Sequence, residues 1–241
     1  MTSGWWFGLI SLFFPDQCPF CQTLRTPSEA FSRGFCQGCE KDIHWITSPF
    51  CPGCGLPYPA GNSSHLCSNC LKGKYYFDRA RGVVLYRGII ARALHRFKYH
   101  KDFTLSEPLG RFWKEMDLED LSFDAIVPVP LHLSRLRERG FNQALLMGKT
   151  FGRGLGKEIL PRAIKRIRDT LPQVHLNPKE REKNVRGAFA VRDQAAVRDR
   201  RILLVDDVYT TGATVNECAK ILKKAGAREV SVLTLARVGL E

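Results

Sequence analysis

Two groups of residues in this chain have types and spacings that do chemistry. The first is a set of cysteines: eight of the nine fall in four Cys-x-x-Cys pairs, Cys18/Cys21, Cys36/Cys39, Cys51/Cys54 and Cys67/Cys70. A Cys-x-x-Cys turn sets two sulfurs on one edge of a metal, and two such turns close a tetrahedral site. Four pairs therefore predict two structural Zn2+ ions with no open ligand position, which weighs against redox chemistry at any one pair. Spacing leaves the pairing of the turns sequential or crossed; the sequential arrangement is the one expected, because each half is then a self-contained ribbon. Cys51-Pro52-Gly53-Cys54-Gly55 is the better knuckle, because Gly55 frees amides to bond the sulfurs, whereas Gln22 stands in that place after Cys21. His44 and His65 lie between the pairs and read as bystanders.

The second group is Arg201-Ile202-Leu203-Leu204-Val205-Asp206-Asp207-Val208-Tyr209-Thr210-Thr211-Gly212-Ala213-Thr214. Its four-residue apolar run, too short for a helix, predicts a parallel strand buried on both faces. The strand ends in two carboxylates, and a Thr/Gly loop then opens a helix with apolar residues Val215, Ala219, Leu222 and Ala225 that stops at Gly226. A loop at a helix N-terminus favours an anion, because the first-turn N–H groups lack partners and the dipole adds partial positive charge. Gly212 and Ala213 admit close approach of a phosphate, and no Lys follows, which excludes the nucleotide P-loop. The aspartates then accept hydrogen bonds from a sugar diol or help hold a divalent cation. The predicted ligand is a ribose 5-phosphate that carries a further phosphate group.

These residues need elements to hold them. Arg81–Tyr86 reads as a strand, and Ile89, Ile90, Ala93, Leu94 and Phe97 mark a helical face that ends beside Lys98. Residues 106–116 read as a second helix and 124–127 as a second buried strand. Val127-Pro128-Val129-Pro130 stops that strand, since proline removes donors and forces an extended or cis turn. In a doubly wound α/β fold the turn at Val129 and Pro130 lies beside the Asp206 to Thr214 loop. Next comes Arg135-Leu136-Arg137-Glu138-Arg139-Gly140-Phe141-Asn142-Gln143, which offers guanidinium forks, a flexible glycine, an aromatic face and amides for phosphate and base contacts. Residues 160–163 read as a short strand and 230–236 as a closing one. Cys218 reads as a small buried residue of the helix after the loop.

Composition bounds the reading. A chain of 241 residues with 44% hydrophobic content holds one domain of moderate size and a small satellite. The divisions expected are an apolar N-terminal helix over 1–16, a double zinc ribbon over 17–72 and an α/β domain over 73–241. Residues 1–14 are apolar and aromatic, yet they lack a basic n-region and a cleavage site and are too short to span a bilayer. The expected location is the cytoplasm, with the apolar segment packed as a helix on the protein's own surface, and transient contact with the inner face of the membrane as the alternative. The net charge of +13 predicts a polyanionic partner, either nucleic acid or an anionic membrane face. Between His132 and Arg201 there are 18 Lys and Arg against 7 Asp and Glu.

Leu203 to Thr214 resembles the phosphoribosyl pyrophosphate (PRPP) signature of type I phosphoribosyltransferases at every informative position. The resemblance implies that Asp206 and Asp207 hold the ribose hydroxyls. It further implies that Val208, Tyr209 and Thr210 through Thr214 form the PRPP loop, that Val129 and Pro130 belong to the pyrophosphate loop, and that Lys98 faces the ligand with Mg2+ on the pyrophosphate. The order of Cys-x-x-Cys ribbons, Val-Pro-Val-Pro, Arg-Gly-Phe-Asn-Gln and Leu-Val-Asp-Asp-Val resembles the ComF competence proteins and their GntX relatives over nearly the whole chain. On that resemblance the fold is a doubly wound, mostly parallel sheet of the type I phosphoribosyltransferase kind preceded by a Cys-rich double zinc ribbon. Arg181, Asn184 and Arg186 match the family's second basic block. The implied function is handling of single-stranded DNA in transformation or DNA utilisation, with a helicase or membrane channel of the import machinery as partner. The alternatives are transfer of phosphoribose from PRPP to a nitrogenous base, catalysed by Asp206, Asp207 and Lys98, and an adaptor with a vestigial sugar-phosphate site.

Overall fold

The structure, a computed structural model, describes residues 17–24, 34–170 and 177–239. The apolar helix expected over residues 1–16 lies outside these. In chain order the elements are α1 (Gln37–Lys41), α2 (Ser68–Leu71), β1 (Arg79–Leu85), α3 (Gly88–Tyr99), α4 (Ser106–Arg111), β2 (Ala125–Pro128), α5 (Leu133–Arg139), α6 (Gln143–Gly152), β3 (Glu158–Ile159), β4 (Ile164–Arg166), α7 (Pro178–Val185), β5 (Phe189–Val191), β6 (Arg201–Tyr209), α8 (Ala213–Lys224) and β7 (Glu229–Arg237). Cys36 and Cys67 are the N-cap residues of α1 and α2, so each short helix starts at a cysteine of a pair.

Five strands form one sheet in the order β1-β7-β6-β2-β3, and every pairing in it is parallel. Alternate residues of β6 face opposite sides, as a strand requires. Leu203 and Val205 join the apolar cluster of α3, α4 and α6, which holds Phe97, Leu109, Met147 and Phe151. Ile202 and Leu204 join the cluster of α8, which holds Val215, Cys218, Ala219 and Leu222. Helices on both faces explain why β2 and the Ile202 to Val205 run of β6 are apolar at every position rather than alternating. The two ribbons divide between these faces: Cys18, Cys36 and Cys39 pack in the first cluster, Cys51 and Cys54 in the second.

The strand order fixes where a ligand can enter. From β6 the chain crosses through α8 to β7 on one side, whereas from β2 it crosses through α5 and α6 to β3 on the other. The neighbouring strands β2 and β6 are therefore a topological switch point, and their C-terminal ends open a crevice between diverging connections. Pro128 is in register with Val205, and Val129 N–H donates to the Val205 carbonyl at 2.9 Å, which brings Val129 and Pro130 to the edge where Asp206 and Asp207 stand.

Two expected elements change. Residues 160–163 are not a strand: the edge strand is Glu158–Ile159, Leu160 N–H makes one more bond to Ile126, and Pro161 then has no donor to continue the ladder. Beyond it, β4 and β5 pair as a separate antiparallel ribbon. The helix expected over 106–116 keeps its α form only to Arg111 and then tightens into a 3-10 turn over Phe112–Glu115.

Candidate functional site

The cysteines resolve into two clusters, Cys18/Cys21/Cys36/Cys39 and Cys51/Cys54/Cys67/Cys70, each with its sulfurs within 4.8 Å of one another. The pairing is thus sequential. Sγ separations of 3.7 Å for Cys18 and Cys39 and 3.6 Å for Cys21 and Cys36, Cys51 and Cys70, and Cys54 and Cys67 recur in both. A tetrahedron with Zn–S bonds of about 2.3 Å has edges of about 3.8 Å, so both clusters fit a Zn2+ ion of the structural kind. Backbone amides support the sulfurs: Cys36 N–H donates to Cys18 Sγ and Cys67 N–H to Cys51 Sγ. Gln22 adopts the left-handed conformation that Gly55 adopts in the second knuckle, with φ of 64° against 70°. The two turns are therefore alike, each closed by a 2.8 Å bond back to the first cysteine's carbonyl, and the first carries a side chain at the strained position.

The acid pair stands at the C-terminal end of β6, with Asp207 buried and Asp206 partly so. Lys98, at the end of α3, places Nζ 2.7 Å from Asp207 Oδ2. Burial works to lower the Lys98 pKa, but the Asp207 charge and hydrogen bond outweigh it and the net shift is upward. Burial and the neighbouring Asp207 charge push Asp206 up to about 7, while its Oδ1 accepts from the Asp207 N–H at 2.9 Å. Beyond them, Thr210, Thr211 and Gly212 lead into α8, with Gly212 as its N-cap at φ 77°. Thr211 Oγ1 accepts from Ala213 N–H, and Thr214 lies in the first turn. Tyr209 points the other way: its ring is buried beneath Gly212, so it contributes backbone rather than a hydroxyl to this loop.

Of the basic segment, only part reaches the crevice. Arg139, the last residue of α5, sits 5.7 Å from the Tyr99 ring centroid; burial lowers its pKa and Asp207 partly restores it. Gly140 is the left-handed C-cap at φ 85°, and Arg137 is exposed. Phe141 is a correction to the expected base-stacking face: it is buried against Phe97 and Phe103, at 5.1 and 4.6 Å between ring centroids. Asn142 is the N-cap of α6, accepting from Leu145 N–H, while its Nδ2 donates to the Val129 carbonyl at 2.9 Å. It thus holds the Val129–Pro130 turn in place. Gln143 is buried at the start of that helix. Arg181, Asn184 and Arg186 belong to α7 and its C-cap, where Arg168 donates to the carbonyls of Asn184 and Arg186.

Arg166, at the end of β4, is the residue the sequence reading missed. Burial lowers its pKa, with Asp206 among the charges that oppose the fall and Arg135 among those that add to it. It therefore shares the field of the acid pair, stacks 5.3 Å from the Phe189 ring and donates to Thr170 Oγ1. No local signal separates it from Lys165 and Arg168, because its position depends on the β4–β5 ribbon.

The model of the double zinc ribbon domain matches residues 9–71, and that of the phosphoribosyl transferase domain matches residues 157–239. Competence protein F of Haemophilus influenzae is 34% identical over 235 residues, covering 93% of this chain and 98% of its own. The chain belongs to the ComF/YhgH competence family. The DNA utilization protein YhgH of Salmonella typhi is 33% identical over 232 residues, covering 94% of this chain and 99% of its own. Competence protein ComFC of Bacillus subtilis is 30% identical over 223 residues, 84% and 83% of the two chains. In this ComF-family chain the α/β part, with its five parallel strands, is of the phosphoribosyltransferase type, and the cysteine-rich part ahead of it supplies both metal clusters. No helix among the described residues is long and apolar enough to cross a membrane.

Proposed function

We propose that this ComF-family chain binds PRPP in the crevice between β2 and β6 and acts on single-stranded DNA during its uptake or utilisation. The observation that carries the PRPP reading is the convergence of four features at one switch point: the buried acid pair Asp206 and Asp207, Lys98 on Asp207, the 210–214 loop, and the N-terminus of α8. The loop and helix end suit the 5-phosphate, and the carboxylates suit the ribose hydroxyls. Lys98, Arg139 and Arg166 suit the pyrophosphate. Mg2+ would enter on that pyrophosphate, within reach of the acid pair, and would supply further neutralisation of its charge.

The DNA reading draws on what the relatives are called, on the excess of cations between His132 and Arg201, and on Arg139 beside the crevice with Arg135 and Arg137 on the same helix, α5. It carries with it a cytoplasmic location, against the inner face of the membrane where an import channel or helicase would deliver the strand. Residues 17–72 then serve as the metal-held module and 73–241 as the ligand-binding one.

The intact acid pair favours a second reading, transfer of phosphoribose to a nitrogenous base. There the bond from ribose C1 to pyrophosphate breaks as a bond to nitrogen forms, and the positive charge that develops at C1 lies near Asp206 and Asp207. Calorimetric titration with PRPP and Mg2+ tests the binding claim, and no heat at millimolar ligand would refute it. Retardation of single-stranded oligonucleotides that weakens with added salt supports the DNA claim, and failure to retard them refutes it. Pyrophosphate release with a panel of bases decides the catalytic reading independently of both.

A further inference from the structure

One buried side chain joins the second metal cluster to the 210–214 loop. Arg237, at the end of β7, is 4% exposed. Its Nη1 donates to the Cys54 carbonyl at 2.7 Å and its Nη2 lies 3.6 Å from Cys54 Sγ. The same guanidinium lies 4.0 Å from the centre of the Tyr209 ring. Tyr209 in turn fills the space under Gly212, where an added Cβ would come within 2.2 Å of the Tyr209 Oη. A second strut runs beside the first. Asn216 of α8 accepts from Tyr76 N–H at 2.6 Å and donates to the Lys74 carbonyl at 3.3 Å, just past Cys70, while its own N–H donates to the Gly212 carbonyl at 2.8 Å.

Among the described residues the first cluster has no such link to the 210–214 loop: the guanidinium at its knuckle is that of Arg96 on α3, which donates to the Pro19 and Phe20 carbonyls. Cys18, Cys36 and Cys39 pack on the opposite face of the sheet, with Phe20 and Phe35 against Phe112. Charge gives the second linkage a direction. Four thiolates around a divalent ion retain a net negative charge, which a buried guanidinium beside one sulfur compensates; without the ion, the Cys54 turn whose carbonyl and sulfur hold Arg237 loses the bonds that fix it. Arg237 then has reason to move, and the ring stacked on it forms the floor of Gly212.

The geometry points to Arg237 and Tyr209 as positioning residues through which metal occupancy of the Cys51/Cys54/Cys67/Cys70 cluster sets the shape of the 210–214 loop. Its importance for ligand binding rests on the proposed reading of that loop as a phosphate cradle; the linkage itself does not.

Two amides report the loop without any ligand: Asn216 N–H, bonded to the Gly212 carbonyl, and Val238 N–H, bonded to the Tyr209 carbonyl. In the full chain, Cys67→Ser with Cys70→Ser, and separately Arg237→Met, should speed exchange at both amides by about tenfold or more while α3 stays at its wild-type rate. Cys36→Ser with Cys39→Ser, at the first cluster, should leave both amides within about twofold. Coupling is reciprocal, so Tyr209→Leu, which replaces no ligand cysteine, should speed loss of the second metal to a chromogenic chelator by a comparable factor. Wild-type exchange at both amides in an Arg237→Met protein that holds two metals would overturn the inference. Equal acceleration from the first-cluster variant, or unchanged metal release from Tyr209→Leu, would do the same. If the cysteine variants do not fold, the Arg237 and Tyr209 arms decide. Wild-type protein that fails to bind PRPP would defeat the cradle reading and leave these results standing.

Discussion

Asp206→Asn tests whether the acid pair is held in place at a cost to folding. Burial, with the Asp207 charge added, moves the Asp206 pKa from the ordinary 3.8 to about 7, against the opposing pull of Lys98 and Arg166. An acid whose pKa is raised by folding holds its proton more tightly in the native state. Its contribution is therefore favourable below the unfolded value and is lost as pH rises from about 4 through about 7, after which it stays flat. At about 1.4 kcal/mol per unit, the penalty reaches on the order of 1.5 kcal/mol at pH 5 and on the order of 4 kcal/mol at pH 8. Asparagine keeps the shape and an oxygen able to accept the Asp207 N–H, and it carries no charge. The variant should thus gain on wild type by about 2–3 kcal/mol more at pH 8 than at pH 5. Urea denaturation of both proteins, metal-saturated, at the two pH values gives that difference directly. A difference that does not change with pH would mean that Asp206 is solvated, and a variant less stable than wild type at pH 8 would mean that its charge is already compensated.

Lys98→Met should destabilise by about 3–5 kcal/mol near neutral pH, because it leaves Asp207 a buried anion beside Asp206; in an Asp207→Asn background, chemical denaturation should show most of that cost gone. Metal analysis of native protein should give two zinc ions per chain, and one zinc, or none with disulfides, would overturn the reading of the eight cysteines. Arg135→Ala, Arg137→Ala and Arg139→Ala together should lower the logarithmic salt slope of single-stranded DNA binding by roughly 2, at about 0.7 per phosphate contact, and an unchanged slope would remove this segment from the interface.

The parts legible in the sequence are those whose partners lie within one turn or one strand. Asp206, Asp207 and the loop to Thr214 are consecutive, so strand, carboxylates and helix start could be read together, and each Cys-x-x-Cys turn is local in the same way. Which turn meets which is not local, and only the fold shows it to be sequential. Phe141 misled for the same reason. Its basic neighbours suggest an exposed turn, but the slot that buries it is made by Phe97 and Phe103, far away in sequence. The ring beside a guanidinium at the crevice is instead Tyr99, half exposed next to Arg139. Arg166 was hidden by a misplaced strand, since the pattern at 160–163 looked extended and Pro161 in fact ends the ladder there.

The charges of the crevice share a common logic. Asp206 is pushed toward neutrality by burial while Arg139 and Arg166 are pushed the same way from the opposite sign, so each group there is destabilised in its charged form by lost water. Lys98 and Asp207 are the exception, because they satisfy one another at 2.7 Å. A ligand with hydroxyls at one end and phosphates at the other supplies what both kinds of group lack: donors for the carboxylates and anionic oxygens for the guanidiniums. A simple polyanion supplies only the second. Its phosphates would relieve Arg139 and Arg166 but add a like charge beside Asp206, which favours a bound molecule whose sugar, not its phosphate, faces the end of β6.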